Sequence, residues 1–446
     1  MLGSRFYRRS IELRLGEALQ DSPVVLIHGP RQCGKTTLAQ YMCAPDFLDW
    51  EGGRLTPGDL RPSPAYPPAH RDYKYVSLDD PVARDSARDD PLGFVAALPE
   101  RVVLDEIQRA PEVFEAIKIA VDRKRVPGRF LLTGSSNVLL LPQLSESLAG
   151  RLQIVRLHPL AQAELARPLP SPGPPAGFLD ALFGGGFPAS QAKRLGESLL
   201  AKVVAGGFPP ALSVPTARRQ SRWYRDYIEI LIQRDLRDIS RIRSLDILPK
   251  LVSAAASQTA QLFNLSDLAS PFELARPAIG NYITVLERLF VLERLPAWHS
   301  SRLKRLVKRP KCHLVDTGIA AALRGADVDS LKADRELLGR LLETFAFQEL
   351  RRQATWFDPP AAFSHFRTKD GAEVDIVIEL PSGSMAGVEI KASATVRSRD
   401  FAGLRRLAAA VGKRFVRGAV LYDGETCAPF GDQLYAVPMR RVWETP

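Results

Sequence analysis

The sequence predicts an α/β protein with a parallel-sheet domain first, a helical middle and a smaller mixed α/β domain last. Three observations carry this reading. A glycine loop, Gly29 to Thr36, sits between an apolar run, Val24 to Ile27, and a helix-compatible stretch, Thr37 to Tyr41. Two further short apolar runs, at 101–105 and 129–133, have the pattern of buried parallel strands. Near the C-terminus, segments at 371–378 and 388–391 read as strands carrying acidic residues. At 446 residues the chain is too long for one hydrophobic core, so two to four domains are expected.

The first element matches G-x-x-x-x-G-K-[ST] without a gap, as Gly29-Pro30-Arg31-Gln32-Cys33-Gly34-Lys35-Thr36, with Thr37 following. Strand, glycine loop and helix in that order are the context the motif needs. The glycines let the backbone curl so that successive N–H groups face a phosphate, and the helix start adds its positive dipole end. Lys35 has the reach to meet β- and γ-phosphates and the Thr36 hydroxyl suits Mg²⁺, so residues 29–37 are expected to bind ATP with Mg²⁺. The next run, Arg101-Val102-Val103-Leu104, ends in Asp105 and Glu106. A lone Asp-Glu after a strand is usually a solvated turn. Downstream of a phosphate loop, Asp105 is expected to hold Mg²⁺ and Glu106 to polarise the attacking water. The third run ends in Thr133-Gly134-Ser135-Ser136-Asn137, a polar cluster suited to sensing the γ-phosphate, with Asn137 as its candidate catalytic contact.

These pieces resemble the AAA-type ATPases, and more specifically a bacterial and archaeal group in which such a domain is fused to a C-terminal domain of uncharacterised function. The residues that carry the resemblance are G-P-R-Q-C-G-K-T-T-L at 29–38, S-L-D-D at 77–80, V-L-D-E-I-Q at 103–108, T-G-S-S-N at 133–137, L-A-G-R at 148–151 and R-L-H-P-L at 156–160. The resemblance implies an ATPase domain over 1–165 that works as a homo-oligomer. It also implies that Arg151 touches nucleotide as a trans-acting or sensor arginine, with Arg156 the competing candidate.

A net charge of +11 favours an anionic partner, nucleic acid first and membrane surface second. The four cysteines, Cys33, Cys43, Cys312 and Cys427, show no C-x-x-C or zinc spacing, and a disulfide at Cys33 would obstruct the phosphate loop; a reducing compartment is expected. No apolar run approaches the ~20 residues of a membrane helix. Met1 to Arg14 has no uninterrupted apolar core of the kind a signal peptide carries. A cytoplasmic protein without a membrane partner is expected.

Proline and glycine punctuate 56–70, which reads as a surface insertion, and 167–188, which reads as the start of a linker and helical region over 166–244. Trp223, Tyr224 and Tyr227 have helical spacing and read as packing. Residues 245–330 read as a winged helix. Two short helices, at 265–269 and 277–289, precede two strands, at 291–295 and 311–316. Between the strands lies a basic stretch without acidic residues, from which Arg302, Lys304, Arg305, Lys308, Arg309 and Lys311 are expected to contact DNA phosphates.

The last part, 331–446, carries a second constellation. Glu343 lies in a helical stretch, Asp375 in the alternating segment after it, and Glu389 and Lys391 two apart on the next strand, where they share a face. If the two strands form a hairpin, Asp375 stands opposite Glu389. Carboxylates with a lysine on one face suit metal-dependent phosphodiester cleavage. The pattern is similar to the PD-(D/E)xK nucleases. It implies Asp375, Glu389 and Lys391 as catalytic residues and Glu343, Asp375 and Glu389 as Mg²⁺ ligands, although no proline precedes Asp375. An E-x-K pair on a strand is also commonly a plain ion pair. The full expectation is an AAA-type P-loop ATPase domain, a helical linker, a winged helix and a restriction-endonuclease-like α/β domain. Such a protein would hydrolyse ATP to process duplex or branched DNA. The rivals are an ATP-gated switch in signalling or defence with a non-catalytic C-terminal binding module, and a nuclease gated by ATP.

Overall fold

The computed structural model describes residues 7–43, 73–135, 138–140, 142–166, 177–239, 247–269, 272, 276–301 and 309–444. The chain divides into two units, Met1–Leu160 with Arg167–Pro175, and Ala161–Ala166 with Ala176–Pro446.

In the first unit, five strands form one sheet: β1 (Val24–His28), β2 (Lys74–Ser77), β3 (Val102–Asp105), β4 (Phe130–Gly134) and β5 (Leu152–Arg156), in the order β2-β3-β4-β1-β5. Every neighbouring pair is parallel. Side chains alternate between two cores. Val24, Leu26, Val102, Leu104, Phe130 and Leu132 pack with Phe114 and Ile117 of the helix Val113–Arg123. Val25, Ile27, Val103 and Leu131 pack with Leu15 and Leu19 of the helix Glu12–Asp21 and with Leu38 of the helix Lys35–Cys43. Burial on both faces is why these strands read as unbroken apolar runs. Because β4 lies between β1 and β3, the glycine loop after β1 and Asp105 at the end of β3 flank its C-terminal end.

The second unit holds a three-stranded antiparallel sheet, β7-β9-β8, and a seven-stranded sheet, β10-β11-β12-β13-β15-β14-β6. Their strands are β6 (Ser190–Gln191), β7 (Gln261–Leu262), β8 (Leu292–Leu295), β9 (Lys311–Leu314), β10 (Ala362–Arg367), β11 (Glu373–Glu379), β12 (Met385–Lys391), β13 (Phe415–Tyr422), β14 (Thr426–Pro429) and β15 (Leu434–Pro438). β10, β11 and β12 are antiparallel, whereas β12, β13 and β15 are parallel. The parallel β12–β13 pair requires a crossover, supplied by the helix Ala402–Val411, whose Leu404, Leu407 and Val411 pack with Val374, Val377 and Val420. Leu341, Phe345 and Leu350 of the helix Arg335–Gln353 pack instead with Ile376, Val388 and Leu421.

The same core takes in Phe178, Leu182, Phe187 and Ile228, and also Leu251, Ile283 and Leu292. From 177 onward, the described residues of the linker and helical region expected over 166–244 form helices and a short sheet strand within the C-terminal unit. The boundaries expected at 244 and 330 fall inside that same unit. Trp223, Tyr224 and Tyr227 pack around Phe208, with ring centroids 5.9, 6.0 and 5.1 Å from it. A buried ionic network ties this unit together. Arg352 pairs with Asp316 at 2.8 Å and with Glu349 at 2.9 Å. Asp316 accepts from the Gly207 and Gly318 amides, at 2.8 and 2.9 Å, and Glu349 from the Gln162 amide at 2.7 Å.

Candidate functional site

The glycine loop runs from the end of β1 into the helix Lys35–Cys43, as the motif requires. A Cβ at Gly29 would stand 2.0 Å from the Leu157 carbonyl oxygen, and Gly34 has φ +96°, so neither position accepts a side chain without strain. Lys35, 5% exposed, folds back so that Nζ donates to the carbonyls of Gly29 at 3.1 Å and Pro30 at 2.8 Å. Thr36 Oγ1 donates to Asp105 Oδ1 at 2.9 Å, which brings the two expected Mg²⁺ ligands together. That hydroxyl–carboxylate pair fits a magnesium nucleotide: Thr36 and Asp105 would hold the ion.

Asp105 is further held by Tyr75 Oη, at 2.7 Å, and by Thr133 Oγ1. Burial, then the Asp105 charge, pushes the Tyr75 phenol up, so it stays a donor. Glu106 sits at φ 57°, in left-handed backbone, with its amide donating to Thr133 Oγ1 at 3.1 Å. Among the described residues of the site, Gln32, in the loop, is the other non-glycine residue there, at φ 64°. Strained backbone of this kind clusters at working sites. Gln108 Nε2 bridges Glu106 to Ser135 Oγ, the latter at 3.0 Å. Asn137 and Ser136 lie outside the described residues. Sequence reasoning missed Arg9, whose guanidinium donates to the Cys33 carbonyl at 2.9 Å and the His158 carbonyl at 2.7 Å, bracing the loop. It also missed Tyr75 as a partner of Asp105. Strand alternation signals only that Tyr75 shares a face with Ser77.

Arg151 lies elsewhere. The β1–β5 register sets Val24 beside Leu152 and His28 beside Arg156, so Arg151 precedes the sheet edge opposite the glycine loop. It forms a two-point pair with Asp122, at 2.6 and 2.8 Å. A sensor role toward its own nucleotide is thereby corrected; Arg156 is the arginine level with the loop.

In the second unit, Glu389 and Lys391 share a face of β12, with Nζ 2.8 Å from Oε1. The register, Ile376 against Val388, brings Asp375 toward Glu389 as the hairpin reading requires. β11 advances three residues, Val374 to Val377, where β10 advances two, a bulge that re-aims Asp375. Asp375 Oδ2 accepts from the Ile390 amide at 2.9 Å. The other partner is unexpected. Lys311, 2% exposed at the start of β9, places Nζ 2.7 Å from Glu343, 2.7 Å from Glu373 and 3.0 Å from Asp375. Burial alone pulls this ammonium down, but Asp375, Glu343 and Glu373 together hold it well above the ordinary lysine range. Burial, then the Asp375 charge, raises the carboxyls of Glu343 and Glu389.

Two expectations are corrected here. Lys311 is not a DNA contact, because it is enclosed by carboxylates. Mg²⁺ on Glu343, Asp375 and Glu389 does not fit the residues present, because Lys311 supplies the cation among them and Glu389 turns to Lys391. Among the described residues, no group of three His, Cys, Asp or Glu side chains is set to hold a metal ion. Arg309 is exposed, whereas Arg302, Lys304, Arg305 and Lys308 lie outside the described residues. No helix among the described residues is long and apolar enough to cross a membrane.

Sheet order, glycine loop and the Thr36–Asp105 pair define the N-terminal unit as a P-loop nucleotide-binding domain. Residues 21–166 match a family model described as an AAA domain, which supports a P-loop ATPase N-terminus. Residues 196–330 and 338–442 match two further models, each described as a domain of unknown function. Over 441 residues the chain is 29% identical to uncharacterized proteins of Mycobacterium tuberculosis (strain H37Rv) and Mycobacterium bovis (strain AF2122/97), covering 98% of this chain and 85% of each relative.

Proposed function

We propose that this protein hydrolyses ATP to drive work on bound DNA, and that its C-terminal unit holds DNA rather than cutting it. The observation that carries the reading is the convergence of Thr36, Asp105 and Glu106 beside the glycine loop. Lys35 is the cation for the β- and γ-phosphates, and Glu106 accepts the proton of the attacking water. Tyr75 and Thr133 keep Asp105 oriented. Mg²⁺, when bound with nucleotide, neutralises charge between the phosphates.

The winged-helix reading of 245–330 is supported by the order of its described elements: helix Ile247–Ser257, β7, helix Leu265–Ala269, helix Arg276–Arg288, β8, β9. The nuclease-like reading of 331–446 is supported by a helix, three antiparallel strands, a crossover helix and a parallel strand in that order. The engaged Lys311 favours binding over cleavage. Duplex or branched DNA should raise the rate of phosphate release. Replacing Arg302, Lys304, Arg305, Lys308 and Arg309 by alanine should weaken DNA binding and flatten its salt dependence, by about 0.9 in slope for each duplex phosphate that the variant no longer neutralises. ATP turnover indifferent to DNA, with an unchanged salt slope, would favour the nucleotide-switch reading.

The far-edge position of Arg151 supports action on a second copy of the chain, in a homo-oligomer. Mixing Arg151→Ala with Lys35→Ala protein should then restore part of the turnover that each lacks alone. Full turnover by a protein that sediments as a monomer would rule this out.

A further inference from the structure

We infer that Lys311 is the built-in cation of the C-terminal carboxylate cluster, standing where a nuclease-like centre takes a divalent metal, so that this centre binds such a metal only once the ammonium is removed. The inference takes the identity of the centre from the nuclease-like reading above, but its test reads cation binding and not cleavage.

The geometry is that of a filled site. The Lys311 ammonium donates to Glu343 at 2.7 Å and to Asp375 at 3.0 Å, and Glu373 adds an ion pair at 2.7 Å, so three carboxylates surround it. The cation comes from outside the strands that build the centre, since β9 pairs with β7 and β8 and not with β11 or β12. A second observation points to a cation-sized demand. Glu389, 9% exposed and close enough to feel the charges of Asp375 and Lys311, leaves Oε2 buried without a hydrogen-bond partner. Four carboxylates thus face two ammonium groups, Lys311 and Lys391, with the Arg367 guanidinium 3.6 Å from Glu373 at the rim. Without Lys311, the remaining oxygens are the hard donors that Ca²⁺, Mg²⁺ and Mn²⁺ accept. The distances to Nζ are longer than metal–oxygen bonds of about 2.0–2.6 Å, so the cluster must close slightly around an ion. Glu343 and Glu373 have flexible side chains for that movement.

The probe is Mn²⁺ alone, titrated into the full chain without nucleotide and followed by the loss of the free-ion paramagnetic resonance signal. The parent protein should show no Mn²⁺ site that depends on Asp375. Lys311→Met should gain one equivalent of bound Mn²⁺, and adding Asp375→Asn should remove it. Should Lys311→Met fail to fold, Lys311→Met with Glu373→Gln carries fewer opposed charges and should gain the same equivalent. Parent protein that binds Mn²⁺ and loses it on Asp375→Asn would overturn the inference, and that arm needs no change at Lys311. Folded Lys311→Met that binds no more Mn²⁺ than the parent would overturn it as well. Cleavage of DNA, present or absent, bears on the nuclease-like reading alone.

Discussion

Glu106→Gln protein should bind ATP as well as the parent yet turn it over about 10²–10⁴-fold more slowly, the range a positioned general base contributes. An amide cannot accept the water's proton, but it keeps the size and the hydrogen-bonding reach of the carboxylate. The Glu106 amide bond to Thr133 and the contact with Gln108 both survive the change. Lys35→Ala should differ in kind. It removes the charge that otherwise lies against the carbonyls of Gly29 and Pro30, so nucleotide binding itself should fail. Equilibrium binding of a fluorescent ATP analogue, beside phosphate release at saturating ATP, separates the two outcomes. Turnover by Glu106→Gln within a few-fold of the parent would assign the base to another residue.

The second large effect is on stability. Arg352→Ala should cost about 3–5 kcal/mol, the usual result of leaving buried charges without their partner. Asp316 and Glu349 are both fully buried, and Arg352 is their shared cation. Even with Arg352 present, burial pushes the Glu349 carboxyl up to about 7. Without it, both acids stay buried and lose the cation they share. Urea unfolding of the parent and the variant reads the difference. A shift worth less than about 1 kcal/mol, within the range of an exposed pair, would mean that the network contributes little beyond packing.

The nucleotide site was legible because its chemistry is local: eight consecutive residues set the loop, and a strand end sets Asp105 and Glu106. Tyr75 and Arg9 were not legible, since their contacts are made by tertiary packing across 30 and 24 positions of sequence. Lys311 shows the limit most clearly. In sequence it closes a solvated-looking basic stretch, but it is the first residue of a strand buried at all four positions. Its acidic partners arrive 32 to 64 residues later. Composition misled in a different way at 167–188, where proline and glycine suggest a connector although Phe178, Leu179 and Leu182 are fully buried. The carboxylates were found because strand alternation fixes Glu389 and Lys391, whereas the bulge that turns Asp375 leaves no composition signal.

The two-residue strand β6 closes the far edge of the seven-stranded sheet by pairing Gln191 with Thr426 and Ser190 with Cys427. Thr426 leaves the ribosome 235 residues after Gln191. At about 5–20 residues per second, that gap is roughly 10–50 s. Through that interval the helix Phe178–Phe183 waits beside β6 without the C-terminal strands that will cover its apolar face. The N-terminal sheet, complete by Arg156, can close long before. Synthesis therefore makes the two units in unequal ways: the sheet of the first can form as it emerges, and that of the second cannot be completed before Thr426 is added.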